Sequence, residues 1–140
     1  MKKLLFFSIL VLGTALSNQL FAQCDTTASF CNNHIKKEAF VSDGQQYRAL
    51  LLNDEVAEFK TTLYAGTTYR IAGCSGLNDG NLIFRLFDIE RNELFSNEDF
   101  GNAPYWDFQV QNTIDAYIEA QLDPTAGSSG CAVILIGFKQ

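Results

Sequence analysis

Four cysteines and one histidine carry the most distinctive side-chain chemistry in this chain: Cys24, Cys31, Cys74, Cys131 and His34. Zinc would need ligands grouped at short spacing. Neither a C-x-x-C pair nor a second histidine is present, so oxidation to disulfides is the stronger reading. Four cysteines allow three pairings. The expected set joins Cys24 to Cys31 across a short local loop, and Cys74 to Cys131 between strands distant in sequence. Nucleophilic catalysis needs a Ser or Cys with a positioned base, and His34 is the only imidazole. It lies in Asn32-Asn33-His34-Ile35-Lys36-Lys37, on what reads as a solvated helix face. Pairing it with Cys31 at i,i+3 is geometrically feasible, but oxidation of Cys31 removes that option. No catalytic residue is predicted.

Carboxylates are plentiful, as in Asp54/Glu55, Asp88/Glu90 and Glu98/Asp99, but they sit where turns need Asp and Asn for backbone reasons. No spacing singles out an acid and a base. Calcium is the ion best matched to such loops, through Asn78, Asp79 and Asn81 in one and Asn97, Glu98 and Asp99 in another. Neither is a D-x-D-x-D-G loop, so no cofactor is predicted beyond calcium as a candidate. Tyr105 and Trp106 have the faces to stack on a sugar ring. Trp106 shares a strand face with Phe108 and Val110 and is assigned to the core. That leaves Tyr105, Tyr117, Asn97 and Asn102, with the loop 97–104, as the candidate binding patch.

These residues must be positioned by a small exported domain. Lys2 and Lys3 precede an apolar run from Leu4 to Leu12, and Leu20-Phe21-Ala22 precedes Gln23, the pattern of a signal peptide over residues 1–22. The run is too short to span a bilayer. Lipid modification of Cys24 is the rival reading, and Gln23 weighs against it because a small residue belongs there. Taking 22 from 140 leaves 118 residues, and losing Lys2 and Lys3 moves the formal charge from -6 to -8. So acidic a chain, with scattered lysines and arginines, is a poor match for nucleic acid. Export to the periplasm or beyond also favours disulfides.

Two segments follow the leader. Residues 23–44 form a cysteine-bearing helical segment, with Ala28, Cys31, Ile35 and Ala39 at helical spacing from Thr26 to Phe40, Asp25 as N-cap and Val41-Ser42-Asp43-Gly44 as the stop. Residues 45–140 read as strands: Tyr47 to Leu52, Val56 to Leu63, Thr67 to Cys74, Leu82 to Asp88, Glu93 to Ser96, Tyr105 to Val110, Thr113 to Leu122 and Cys131 to Phe138. Ala57, Phe59, Thr61 and Leu63 face one way and Glu58 and Lys60 the other. Ala65-Gly66 is read as the turn of a hairpin joining that strand to the next. In Thr113 to Leu122, Ile114, Ala116, Ile118, Ala120 and Leu122 form the apolar face. About eight short strands predict an all-β antiparallel sandwich.

The stretch Glu55-Val56-Ala57-Glu58-Phe59-Lys60-Thr61-Thr62-Leu63-Tyr64-Ala65-Gly66-Thr67-Thr68-Tyr69-Arg70-Ile71 resembles the opening of bacterial pre-peptidase C-terminal domains. Leu82 to Asp88 followed by Glu93-Leu94-Phe95 is similar to that family's next element. The resemblance covers roughly residues 45–139. It implies a small jelly-roll-like sandwich associated with substrate or surface binding, sometimes with calcium. The expected function is that of a secreted, non-enzymatic module binding a glycan, a peptide or a cell-envelope partner. The alternative is a structural envelope or assembly protein without a small-molecule ligand, marked by a long unprotected strand edge.

Overall fold

A computed structural model of the chain describes residues 18–139, with side chains from Ala22 onward. Most of the expected leader, residues 1–17, therefore lies outside the described residues. Helix α1 (Asn18–Ile35) runs straight through the expected cleavage junction at Ala22-Gln23. Asp25 is consequently inside the helix, not its cap, and its carboxylate accepts a 2.5 Å bond from Arg48. The helix ends earlier than its spacing suggests. A short 3-10 turn follows at Lys37–Ala39, where Glu38 and Ala39 take left-handed backbone, both with φ 62°.

Eight strands follow: β1 (Val41–Leu52), β2 (Val56–Leu63), β3 (Thr67–Ser75), β4 (Leu82–Asp88), β5 (Glu93–Ser96), β6 (Tyr105–Val110), β7 (Ile114–Leu122) and β8 (Ser129–Lys139). They form two four-stranded antiparallel sheets, ordered β1-β8-β3-β6 and β2-β7-β4-β5. That order is an eight-stranded jelly roll. β1 starts at Val41, so the expected stop signal is already strand. The turn-forming Gly44, at φ 83°, serves an irregularity between Ser42 and Gln46 where the register with β8 shifts.

The expected hairpin of β2 with β3 is not formed. In this topology consecutive strands change sheet, and only β4 and β5 pair directly. β2 pairs with β7 and β3 with β8 and β6. The turn at Ala65-Gly66 instead arches between layers, and the Gly66 N–H donates to the carbonyl of Val110.

The core lies between the sheets. Ile71 of β3, Phe84 of β4, Ile118 of β7 and Ile134 of β8 are all at most 1% exposed, and the alternation expected of β7 holds along its whole length. β8 is apolar on both faces because it is covered twice: Ala132, Ile134 and Ile136 face the other sheet, and Cys131, Val133 and Leu135 lie under α1. Gly137 marks how closely the helix approaches, since a Cβ there would stand 2.8 Å from Cγ2 of Ile35.

Two disulfides fasten the helix to that sheet, and their pairing differs from the expected one. Cys24 joins Cys131 and Cys31 joins Cys74. Cys24 and Cys31 are seven residues apart on one helix face, about 10 Å along the axis, beyond the reach of a disulfide. Cys74 faces Val133, not Cys131, across the ladder. The two strand cysteines are thus diagonal neighbours, each free to meet a helix cysteine above it.

Candidate functional site at the loop-rich end

Side-chain amides and carboxylates organise one end of the sandwich, where the loops after β3, β5 and β7 meet. Asn97 is fully buried. Its Oδ1 accepts from the Phe84 N–H at 2.8 Å, and its Nδ2 donates to the carbonyls of Leu82 and Ala103 at 2.9 and 3.1 Å. Asn102 donates to the Gly80 carbonyl and to Asp123 Oδ2 at 3.1 and 2.8 Å. Both candidate binding residues are thus committed to holding loops in register.

The Asp123 carboxylate also accepts from the hydroxyl and N–H of Thr125. These donors, led by the Thr125 hydroxyl, hold its pKa below the usual carboxylate range. Asp88 is lowered likewise, first by the Asn92 side chain. A depressed carboxylate stabilises the fold above its unfolded pKa and loses that contribution as pH falls through the folded value. The melting temperature should therefore hold from neutrality to about pH 5 and fall below about pH 4. Melting curves of Asp123→Ala should show a shallower acid slope; an unchanged slope would remove Asp123 from the account.

The calcium candidates are similarly occupied. Asp79 Oδ1 lies 2.8 Å from Nε2 of His34, the Asn81 amide donates to the Ser75 carbonyl, and Glu98 takes a 2.6 Å bond from Arg85. Asn78 and Asp99 are exposed. Among the described residues no group of three or more His, Cys, Asp or Glu side chains is arranged to hold a metal ion.

His34 is buried, 7% exposed, and not on a solvated face. Lys36 and Lys37, which suggested exposure, lie beyond the end of α1, whereas His34 shares the sheet-facing side with Cys31 and Ile35. Its ring packs against Phe30 and Tyr105, with centroids 5.8 and 5.5 Å away. Beside it Arg70, 1% exposed, is sandwiched between the rings of Phe40 and Tyr105 at 4.2 and 4.3 Å. All five guanidinium N–H groups have acceptors: Asp107 twice, Glu38, and the carbonyls of His34 and Lys37 at the helix end. Asp107 foremost, with Glu38, raises the pKa of Arg70 against the opposing effect of burial.

Tyr105 is therefore one wall of an arginine clamp, with a ring face already covered. Tyr117 lies elsewhere, on the outer face of the second sheet. Arg91 stacks 4.3 Å above its ring and bonds to Glu58 and Glu119 at 2.5 and 3.4 Å. The two tyrosines stand on outer faces of opposite sheets and form no common patch.

An aromatic cluster does open to solvent, where the edge strands β5 and β6 face each other. Phe95 packs on Trp106 and Phe108 at 5.2 and 5.1 Å, and Phe100 lies on Trp106 at 4.3 Å. Phe100 is 51% and Leu94 49% exposed. A depression of about 500 Å3, lined by Ala103, Pro104, Tyr105, Trp106 and Asp107, adjoins this seam. One of about 430 Å3 lies at the helix side of the same end, between Thr26, Thr27, Leu77 and Gly127. Phe100 was hidden from sequence reading by its polar loop. The one available signal was an aromatic residue among turn formers, where none is needed for the turn.

The class defined here is a disulfide-pinned, eight-stranded jelly-roll sandwich with an aromatic seam at its loop-rich end. Its fold is similar to that of PliG, a periplasmic inhibitor of g-type lysozyme, from Aeromonas hydrophila: 12% identity and a TM-score of 0.52, over 68% of this chain and 85% of that one. Salmonella Typhimurium PliG matches at 12% identity and a TM-score of 0.45, over 67% and 89% of the two chains. At such identity the likeness is one of fold. No family model and no curated protein sequence matches the chain.

Proposed function

We propose that this protein is an exported, non-enzymatic module that binds a protein partner in the cell envelope through the seam between β5 and β6. The observation that carries the reading is the half-exposed Phe100 packed on Trp106 beside a loop network held by Asn97, Asn102 and Asp123. A fixed aromatic surface binds without losing much side-chain freedom. Two disulfides suit an oxidising compartment. No helix among the described residues is long and apolar enough to cross a membrane. A framework of the same fold serves PliG as an inhibitor of a lysozyme, which supports a protein as partner over a small substrate. Kinship with pre-peptidase C-terminal domains belongs to this proposal, although the stretch Glu55 to Ile71 that carries it spans two sheets and forms no hairpin.

The structural alternative is less well supported. Of the long edges that an assembly of strands would use, β1 is interrupted at Gly44 and β2 carries Glu58 and Lys60 outward, both features that discourage it, and the remaining edges, β5 and β6, are only four and six residues long. The test compares wild type with Phe100→Ser for retention of envelope proteins and of arrayed glycans. Phe100→Ser should lose about tenfold in affinity for the retained protein at an unchanged melting temperature. Equal retention by both forms would sink the seam as the site.

A further inference from the structure

The chemistry of the seam's partner follows from what surrounds the aromatic residues. Between Arg91 and Lys139 the chain contains no lysine or arginine, yet it contains seven carboxylates. That stretch supplies β5, β6, β7 and nearly all of β8. Four of its carboxylates lie on the elements that carry the seam: Glu93 on β5, Glu98 and Asp99 in the 97–100 turn with Phe100, and Asp107 on β6 beside the depression.

Among the described residues only two cations reach them. Arg85 lies 3.9 Å from Glu93 and 2.6 Å from Glu98, and Arg70 takes Asp107 but is buried and shared with Glu38. Among the described residues no cation stands within ion-pair distance of Asp99. The seam therefore combines exposed apolar surface with a negative rim, which favours positively charged partners and disfavours anionic ones.

The backbone adds a second constraint. β6 pairs with β3 on one side only, and its neighbour across the seam, the four-residue β5, belongs to the other sheet. From Tyr105 to Val110 it has no proline, no lysine and no bulge, and its one charged side chain, Asp107, is held by Arg70, so its free edge is open to the addition of a short strand. A six-residue extended segment along it would run about 20 Å. Such a segment would pass Trp106 and Phe108, the 500 Å3 depression at one end, and a second of about 340 Å3 beside Leu94, Phe108 and Ile114 at the other.

Resting on the seam as the binding site, we infer that it takes an extended cationic segment of a protein partner. The segment adds to the edge of β6, sets alternate apolar side chains against Phe100 and Trp106, and directs lysines or arginines to the acidic rim. A second copy of this chain is a poor occupant, because pairing two β6 edges would bring two acidic rims together.

The probe is a synthetic hexapeptide alternating lysine with leucine. Its controls are the same peptide with glutamate for lysine and one with serine for leucine. Trp106, the chain's single tryptophan, reports from within the seam. The lysine-leucine peptide should shift Trp106 emission saturably, slow hydrogen exchange along β6, and weaken about tenfold as salt rises from low to physiological strength. Phe100→Ser and Asp99→Lys should each weaken it about tenfold. Asp115→Asn, on β7 outside the seam, should leave it unchanged.

Equal binding of the glutamate-leucine peptide would overturn the charge argument, and binding without protection of β6 would overturn strand addition. A neutral glycan that shifts Trp106 while the cationic peptide does not would overturn this inference and leave the seam standing as a site. If Phe100→Ser changes neither peptide nor envelope-protein binding, the seam itself falls.

Discussion

Arg70→Met should cost about 3 kcal/mol of folding stability, seen as a fall of on the order of 10 °C in melting temperature. Methionine keeps much of the length and the apolar stem but removes five hydrogen bonds. The His34 carbonyl at the end of α1, the Lys37 carbonyl in the turn after it and the Asp107 carboxylate then lose their donors. The rehydration of Glu38, whose side chain is 66% exposed, and in part of Asp107 keeps the loss near the lower end for broken buried ion pairs. Arg70→Lys should recover less than half. A single ammonium cannot fork onto Asp107 while lying flat between Phe40 and Tyr105. Denaturant titration of the three forms checks this, and a loss below about 1 kcal/mol in Arg70→Met would show the clamp to be ornamental.

Removing the disulfides should have an effect at least as large. Cys31–Cys74 spans 43 residues and Cys24–Cys131 spans 107. On chain-entropy grounds these loops stabilise the fold by about 4 and about 5 kcal/mol, with measured values commonly from about 2 to 5. The paired replacements Cys31→Ala/Cys74→Ala and Cys24→Ala/Cys131→Ala should each lose stability in that range. With both bonds absent, α1 is held mainly by Ala28, Ile35 and the Arg70 clamp beyond it, whereas the inter-sheet core is untouched. Hydrogen exchange should therefore rise in α1 before it rises in β4 or β7. If reduction leaves both the unfolding midpoint and helix exchange unchanged, the bonds contribute little.

Period-two patterning made the strands legible one by one. Ile114 to Leu122 could be assigned a face outright. Pairing was not legible in the same way. Val56 to Leu63 and Thr67 to Ser75 are joined by a short turn that suits a hairpin locally, yet burying both inner faces needs them in opposite sheets. The cysteine pairing failed for a related reason: proximity in sequence favoured Cys24 with Cys31, while helix geometry holds them apart. His34 was read from its charged neighbours Lys36 and Lys37, because the end of the helix between them could not be located from residue types. From the sequence, Asn97 and Asn102 read as candidate binding residues. Their many hydrogen bonds turned out to hold the backbone, whereas the exposed side chain beside them, Phe100, has no periodic pattern to announce it.

The bond between Cys24 and Cys131 also bears on survival after damage. It closes all but the outermost parts of the described chain into a covalent ring, with Cys31–Cys74 bridging the interior of that ring. A single peptide-bond cut anywhere between residues 24 and 131, including the exposed loop at 124–128, opens the ring without releasing a fragment. Both strands flanking such a nick stay tethered at high effective concentration and remain in their sheets. The covalent ring thus makes a first proteolytic cut survivable.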